Sequence, residues 1–262
     1  MPTINANGIN LYYEMHGQGK PLVLVAGFTC DTSFWIRILR ELQAHFQLII
    51  FDNRGAGRSE SPDKSYTIDD MAKDTIALVE KLGIKKPHIL GHSMGGCVVQ
   101  TIALTQREMF DKIVISNSVI KMNNVSSLFL KFMLKLRLES CSLQTFGEGF
   151  IPWIFSTHFL AEDQRIQEVI NLQINQPYPQ SLAGYKRQLE ALLGFDSSNW
   201  YKKLKGPALI ISGDEDILCP RDSELLANHI ENAKFVEFHR VAHCPMIEKA
   251  QDYVGILTNY LK

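Results

Sequence analysis

Apolar residues fall into two alternating patterns along this chain. Short runs rich in Val, Ile and Leu occur at Pro21–Gly27, Phe46–Asp52, Pro87–Ser93, Lys112–Ser118, Pro207–Asp216 and Lys234–His243. The centres of most of them are almost continuously apolar, as expected of strands covered on both faces. Between them lie stretches with apolar residues at helical spacing: Ser33–Phe46, Thr67–Gly83, Gly95–Phe110 and Ser223–Glu231. Strand alternating with helix predicts an α/β fold: a mostly parallel sheet with helices on both faces. Two further pieces, Thr3–Ala6 and Ile9–Glu14, flank Asn7-Gly8. That dipeptide supplies the positive φ angles of a tight turn, so an antiparallel hairpin opens the sheet. The rhythm breaks from Ile120 to Trp200, which is rich in Leu, Phe and Met and has no strand pattern. This stretch reads as a helical cap. The expected organisation is a core of residues 1–119 and 201–262 and a cap of residues 120–200.

Composition narrows the function classes. The chain has 262 residues, 45% hydrophobic and 21% charged, enough for a core without disulfides or metals. Its formal net charge of -1 provides no basic field to recruit nucleic acid. The five cysteines are an odd number, with no Cys-x-x-Cys pair and no Cys/His metal spacing. Free thiols in a reducing cytoplasm, with no metal, are expected. The N-terminus lacks the basic and apolar regions of a signal peptide. No run approaches the ~18 apolar residues of a membrane span.

Candidate chemistry centres on Ile89–Gly96, where an apolar run stops at Gly91-His92-Ser93-Met94-Gly95 before a helical pattern begins. A serine hydroxyl is a poor nucleophile and needs a base within hydrogen-bond reach. A sharp strand-to-helix turn lifts it above the sheet, and the crowded turn needs neighbours without a Cβ. Gly91 and Gly95 meet that need, and Gly-x-Ser-x-Gly between strand and helix is a nucleophile elbow.

On this motif and three others the chain resembles the α/β-hydrolase superfamily, serine-nucleophile type, over nearly its whole length. Phe51–Ser59 is similar to the Asp-x-Arg-Gly-x-Gly-x-Ser loop of these enzymes, Gly213–Pro220 to their acid-bearing segment, and Val241–Ala250 to their histidine segment. The resemblance implies a Ser93, Asp216, His243 triad, with the acid placed by the pattern Gly-x-x-Asp-x-x-x-Pro. Among eight histidines, His243 follows the last strand-like run, at the end of the sheet where ligands bind. His92 reads as a packing residue. Asp214 and Glu215 read as loop or surface acids. The site after the preceding strand, where some relatives carry the acid, is Ser116-Asn117-Ser118 and has no carboxylate. The oxyanion donors implied are the Met94 and Phe28 amides. Ala26-Gly27 stands where the family usually has His-Gly, so that loop needs another buttress. Arg54 and Arg58 read as charges paired within their own loop.

In the cap, Trp153 is the first choice for a pocket residue, with Phe28, Trp35 and Met94 completing the wall. Ser127–Ser140 reads as basic and amphipathic through Lys131, Lys135 and Arg137. It offers a contact for an acidic carrier or an anionic surface, or else an ordinary solvated face. The expected protein is a cytoplasmic, cofactor-free hydrolase of a small ester or lactone, free or carrier-linked. It is similar to enol-lactonases and pimeloyl methyl ester esterases. The same triad also serves carbon–carbon bond hydrolases and cofactor-free peroxidases, and ligand receptors share the fold.

Overall fold

The computed structural model describes residues 2–262. Eight strands form one sheet in the order β1-β2-β4-β3-β5-β6-β7-β8. They are β1 (Thr3–Ala6), β2 (Ile9–His16), β3 (Pro21–Val25), β4 (Gln47–Phe51), β5 (His88–His92), β6 (Ile113–Ser116), β7 (Lys205–Gly213) and β8 (Glu231–Phe238). β1 and β2 pair antiparallel across Asn7-Gly8, β2 joins β4 antiparallel, and every pairing from β4 to β8 is parallel. Both Asn7 and Gly8 have positive φ, as the hairpin requires.

The apolar strands are explained by two-sided burial. Val23, Val25, Ile49, Phe51, Ile113 and Ile115 face one core, shared with α2 (Ile68–Lys81), α3 (Met94–Thr105) and α8 (Asp222–His229). The alternate residues Leu22, Leu24, Leu48, Ile50 and Val114 face the other, under α1 (Ile36–Leu42) and α10 (Ala250–Leu261). The helical stretch expected at Ser33–Phe46 is a 3-10 turn (Thr32–Trp35) followed by the shorter α1. β8 ends at Phe238, five residues earlier than the apolar run, so His243 lies on the loop beyond it.

The sheet order dictates where a ligand can bind. From β3 the chain moves outward to β4, then returns to place β5 on the other side of β3. The connections leave β3 and β5 in opposite directions, opening a crevice at their carboxyl ends. Gly27-Phe28 leaves β3 there and Ser93 leaves β5 there, with Val25 paired to Gly91 in register.

Between β6 and β7 the chain runs through α4 (Asn124–Leu138), α5 (Leu143–Ile154), α6 (Asp163–Ile174) and α7 (Leu182–Gly194). No named strand occurs in this insertion. Its two ends are tied by an isolated bridge between Lys121 and Asp196, whose side chains pair at 2.6 Å.

Candidate active site

Ser93 sits at φ 54°, ψ -119°, a backbone conformation that costs a side-chain-bearing residue energy. Close packing holds it there. A Cβ on Gly91 would lie 2.1 Å from the Gly95 carbonyl oxygen, and one on Gly95 would lie 2.1 Å from that of Val25. The Ser93 amide donates to the Ser116 carbonyl at 2.9 Å, and the Ser118 hydroxyl donates to the Ser93 carbonyl at 2.9 Å.

Asp216 and His243, distant in sequence, meet at the same edge. His243 Nδ1 and Asp216 Oδ2 are 2.9 Å apart, and both side chains are almost fully buried. Asp216 Oδ1 accepts from the Leu218 and Cys219 amides at 3.0 and 3.1 Å. Burial pushes the Asp216 carboxyl up, but His243, Asn117 and the Cys219 amide together hold it below the usual carboxylate range. The Ser93 hydroxyl is not hydrogen-bonded to His243, although both side chains line one cavity. Such contacts often tighten only with substrate bound.

Asn117 holds a position that the sequence reading treated only as lacking a carboxylate. Its Nδ2 donates to Asp216 Oδ2 at 2.9 Å and to the Ala242 carbonyl at 3.1 Å. It therefore joins the acid to the segment bearing His243. Its φ of 49° is one that asparagine tolerates better than most residues. His92 contributes from the opposite side. Its Nε2 donates to the His243 carbonyl at 2.9 Å, and its ring stacks on Phe34. Burial, reinforced by the neighbouring His243, pushes its pKa down to about 3, so the ring is neutral.

The Phe28 and Met94 amides have no hydrogen-bond partner among the described residues. Asn53 supplies part of the missing buttress by donating to the Ala26 carbonyl at 3.0 Å. Gln188 on α7 supplies the rest. It accepts from the Thr29 amide at 3.2 Å and donates to the Arg54 carbonyl at 2.8 Å. Neither residue carried a recognisable signal in the sequence. Arg54 is bonded by two nitrogens to the buried Asp74. Arg58 pairs with Asp52 and Glu14 and lies over the Tyr12 ring. Both arginines brace their own loop, as expected. Asp214 pairs with His239 and accepts from the Val241 amide, while Glu215 binds Thr157 in the insertion.

Asp216, Cys219 and His243 also have the spacing of a metal-binding cluster. Their donors are already engaged, since His243 Nδ1 faces Asp216 and burial keeps the Cys219 thiol protonated.

Ser93 opens onto a cavity of about 860 Å³ beneath the insertion. Its wall is mainly apolar, built from Phe28, Leu130, Phe146, Phe150, Ile154 and Phe155. Trp153 is not part of it. The indole stacks on Phe129 at 4.0 Å, behind the wall, because Trp153 and the cavity-lining Ile154 are adjacent on α5 and point to different neighbours. Trp35 is fully buried in the core, and Phe34 beside it lines the cavity instead. The Met94 side chain is likewise fully buried, leaving only its amide for the site. Lys131 and Lys135 are exposed on α4, but Arg137 turns inward to the cavity.

This geometry agrees with the comparisons to known proteins. A family model described as alpha/beta hydrolase fold matches residues 20–250. The chain belongs to the alpha/beta hydrolase family. This hydrolase-family chain is 27% identical over 248 residues to RutD of Azorhizobium caulinodans, a protein named for carbamate hydrolysis; the match covers 93% of this chain and 91% of the relative. It is 26% identical over 254 residues to 3-oxoadipate enol-lactonase 2 of Acinetobacter baylyi, covering 96% and 92%. In fold it resembles the crystal structure of the enol-lactonase from Burkholderia xenovorans LB400, with TM-score 0.86, 24% identity and 99% of each chain covered. An esterase from Thermogutta terrifontis superimposes with TM-score 0.86 at 23% identity, covering 99% of this chain and 97% of the esterase. No helix among the described residues is long and apolar enough to cross a membrane.

Proposed function

We propose that this protein is a serine hydrolase that cleaves a small carboxylic ester or lactone through an acyl-enzyme, with residues 120–200 as the cap over its site. One observation carries the reading. Ser93, on its strained turn, faces a largely apolar cavity beside two backbone amides without partners and a histidine already oriented by a buried acid.

His243 Nε2 takes the proton of the Ser93 hydroxyl as Oγ attacks the carbonyl carbon. The Phe28 and Met94 amides hold the oxyanion, each such donor contributing ~2.7–4 kcal/mol. His243 returns the proton to the leaving alkoxide, and the acyl group remains on Ser93. A water then gives His243 a proton and attacks the acyl carbon. Collapse of this second intermediate restores the Ser93 hydroxyl and releases the acid. Asp216 fixes the His243 tautomer and stabilises its imidazolium throughout.

The names of RutD and the enol-lactonase support hydrolysis of a small carbonyl substrate. The apolar wall favours an ester or lactone over a highly charged substrate. The exposed Lys131 and Lys135 suit a carrier-linked form of that ester. The five free cysteines suit a reducing cytoplasm.

A chain-length series of p-nitrophenyl esters on wild type and Ser93→Ala tests the proposal. Turnover by wild type alone, with an optimum at short to medium acyl chains, is expected. A folded wild type that turns over neither these esters nor simple lactones would overturn it.

A further inference from the structure

Within the cavity wall, Arg137 stands apart from the other cations. Arg54 and Arg58 are paired with carboxylates. Arg37, which also lines the cavity, has Glu168 at 3.9 Å. Arg137 makes one hydrogen bond, from Nη2 to the Gln180 carbonyl at 2.8 Å. Among the described residues no carboxylate pairs with it, so Nε and Nη1 have no partner. Its guanidinium lies 5.3 Å from the Tyr185 ring centre and 5.5 Å from that of Phe146.

Two further polar atoms close to this cation are unsatisfied. Gln180 Oε1 and the Tyr185 hydroxyl are both buried without a hydrogen-bond partner. A half-buried charge without a counter-ion, beside orphaned polar atoms, is costly in a folded protein. An arrangement of this kind is explained when a ligand supplies the missing partner.

The chemistry of that partner follows from the donors. Guanidinium binds carboxylate through parallel hydrogen bonds. One unpaired positive charge neutralises one negative charge, so a monoanion fits better than a phosphate dianion. Its position follows from the rings. The Tyr185 ring centre is 4.7 Å from that of Phe28, so the guanidinium carbon lies within about 10 Å of the Phe28 ring. Allowing for the ion pair, a carboxylate held there falls about 5–7 Å from a carbonyl over Ser93. That is about four to six bonds at ~1.2 Å each.

We propose that Arg137 anchors a carboxylate at the far end of the substrate, so that the preferred substrates are half-esters, or lactones bearing such an acid. The proposal rests on the ester-hydrolase reading above. Arg137 is a specificity residue in it and takes no part in bond breaking.

The test compares 4-nitrophenyl hydrogen adipate with 4-nitrophenyl hexanoate, which has the same chain length without the charge. Wild type prefers the acidic ester by about 10–100-fold in kcat/KM. Arg137→Met abolishes that preference through KM and changes hexanoate turnover less than threefold. Arg137→Lys keeps part of the preference. An equal loss on both esters, or no preference in wild type, would overturn the anchor. A second measurement separates this from failure of the esterase reading: thermal stabilisation of Ser93→Ala by adipate. A saturable upshift that Arg137→Met removes supports the anchor even if no ester is hydrolysed. No upshift at millimolar adipate counts against it.

Discussion

At the carboxyl edge of the sheet, a Cβ added to Gly91 or Gly95 would run into backbone 2.1 Å away. In the insertion above it, Val125, Leu128 and Phe132 on α4 are each more than half exposed. The two regions share one cavity and are held by different forces. The edge is fixed by backbone contacts that no side-chain rearrangement relieves. The insertion is held by side-chain packing, which tolerates exchange at constant volume. Substitutions at the edge therefore strike the rate, whereas those in the insertion strike selectivity and stability.

The largest effect that sharpens this contrast comes from the edge. Ser93→Ala and His243→Ala each lower kcat by at least about 10³-fold, and the double variant is no worse than either single one. Thermal midpoints stay within a few degrees of wild type. Steady-state rates and thermal melts on the three variants check both points. Additive losses would mean that the two residues do not act as one unit.

Asn117→Ala comes next. It removes one hydrogen bond to a buried carboxylate, so kcat falls about 10–100-fold. Asp216 is held low partly by Asn117, so its carboxyl rises and the acidic limb of the kcat/KM profile moves to higher pH. A lower rate with an unmoved limb would make Asn117 a packing residue only.

The sequence displayed the edge well because its chemistry needs particular residue types on a particular backbone. Ser93 needs glycines around it, and chain order singled out His243. Asn117 was missed because the motif around it was read for a carboxylate, and its role appears only when β6 and β7 lie side by side. The insertion was less legible. Helical spacing shows that α5 buries a face, but not that Trp153 meets Phe129 while Ile154 meets the cavity. Arg137 was grouped with Lys131 and Lys135. Two residues beyond Lys135 is about 200° around a helix, so Arg137 belongs to the opposite face.

A pH effect on stability follows from His92, which bridges the two halves of the edge. Folded His92 stays neutral down to about 3, whereas an unfolded histidine takes a proton near 6.5. Below pH 6.5 the unfolded chain binds the extra proton, so stability falls as pH drops from 6.5 toward 3. His92 alone makes the fold about 2 kcal/mol less stable at pH 5 than at pH 7. His92→Gln removes that slope, as measured by urea melts at both pH values. An unchanged slope would place the acid sensitivity on other groups, such as His88, whose burial lowers its pKa to about 4.

The smallest effect separates the cavity wall from the layer behind it. Phe150 lines the cavity, and Trp153 stacks behind it on Phe129. Phe150→Ala enlarges the acyl site, so the optimum moves to esters one or two carbons longer. Each added methylene is worth up to ~0.8 kcal/mol of burial, or about fourfold in kcat/KM. Trp153→Ala loses the stacked pair and destabilises the fold by about 2 kcal/mol. Its chain-length optimum stays where wild type has it. The ester series on both variants decides the point. If Trp153→Ala moves the optimum and Phe150→Ala does not, the wall is the one expected from sequence, and α5 is rotated about its axis in the working enzyme.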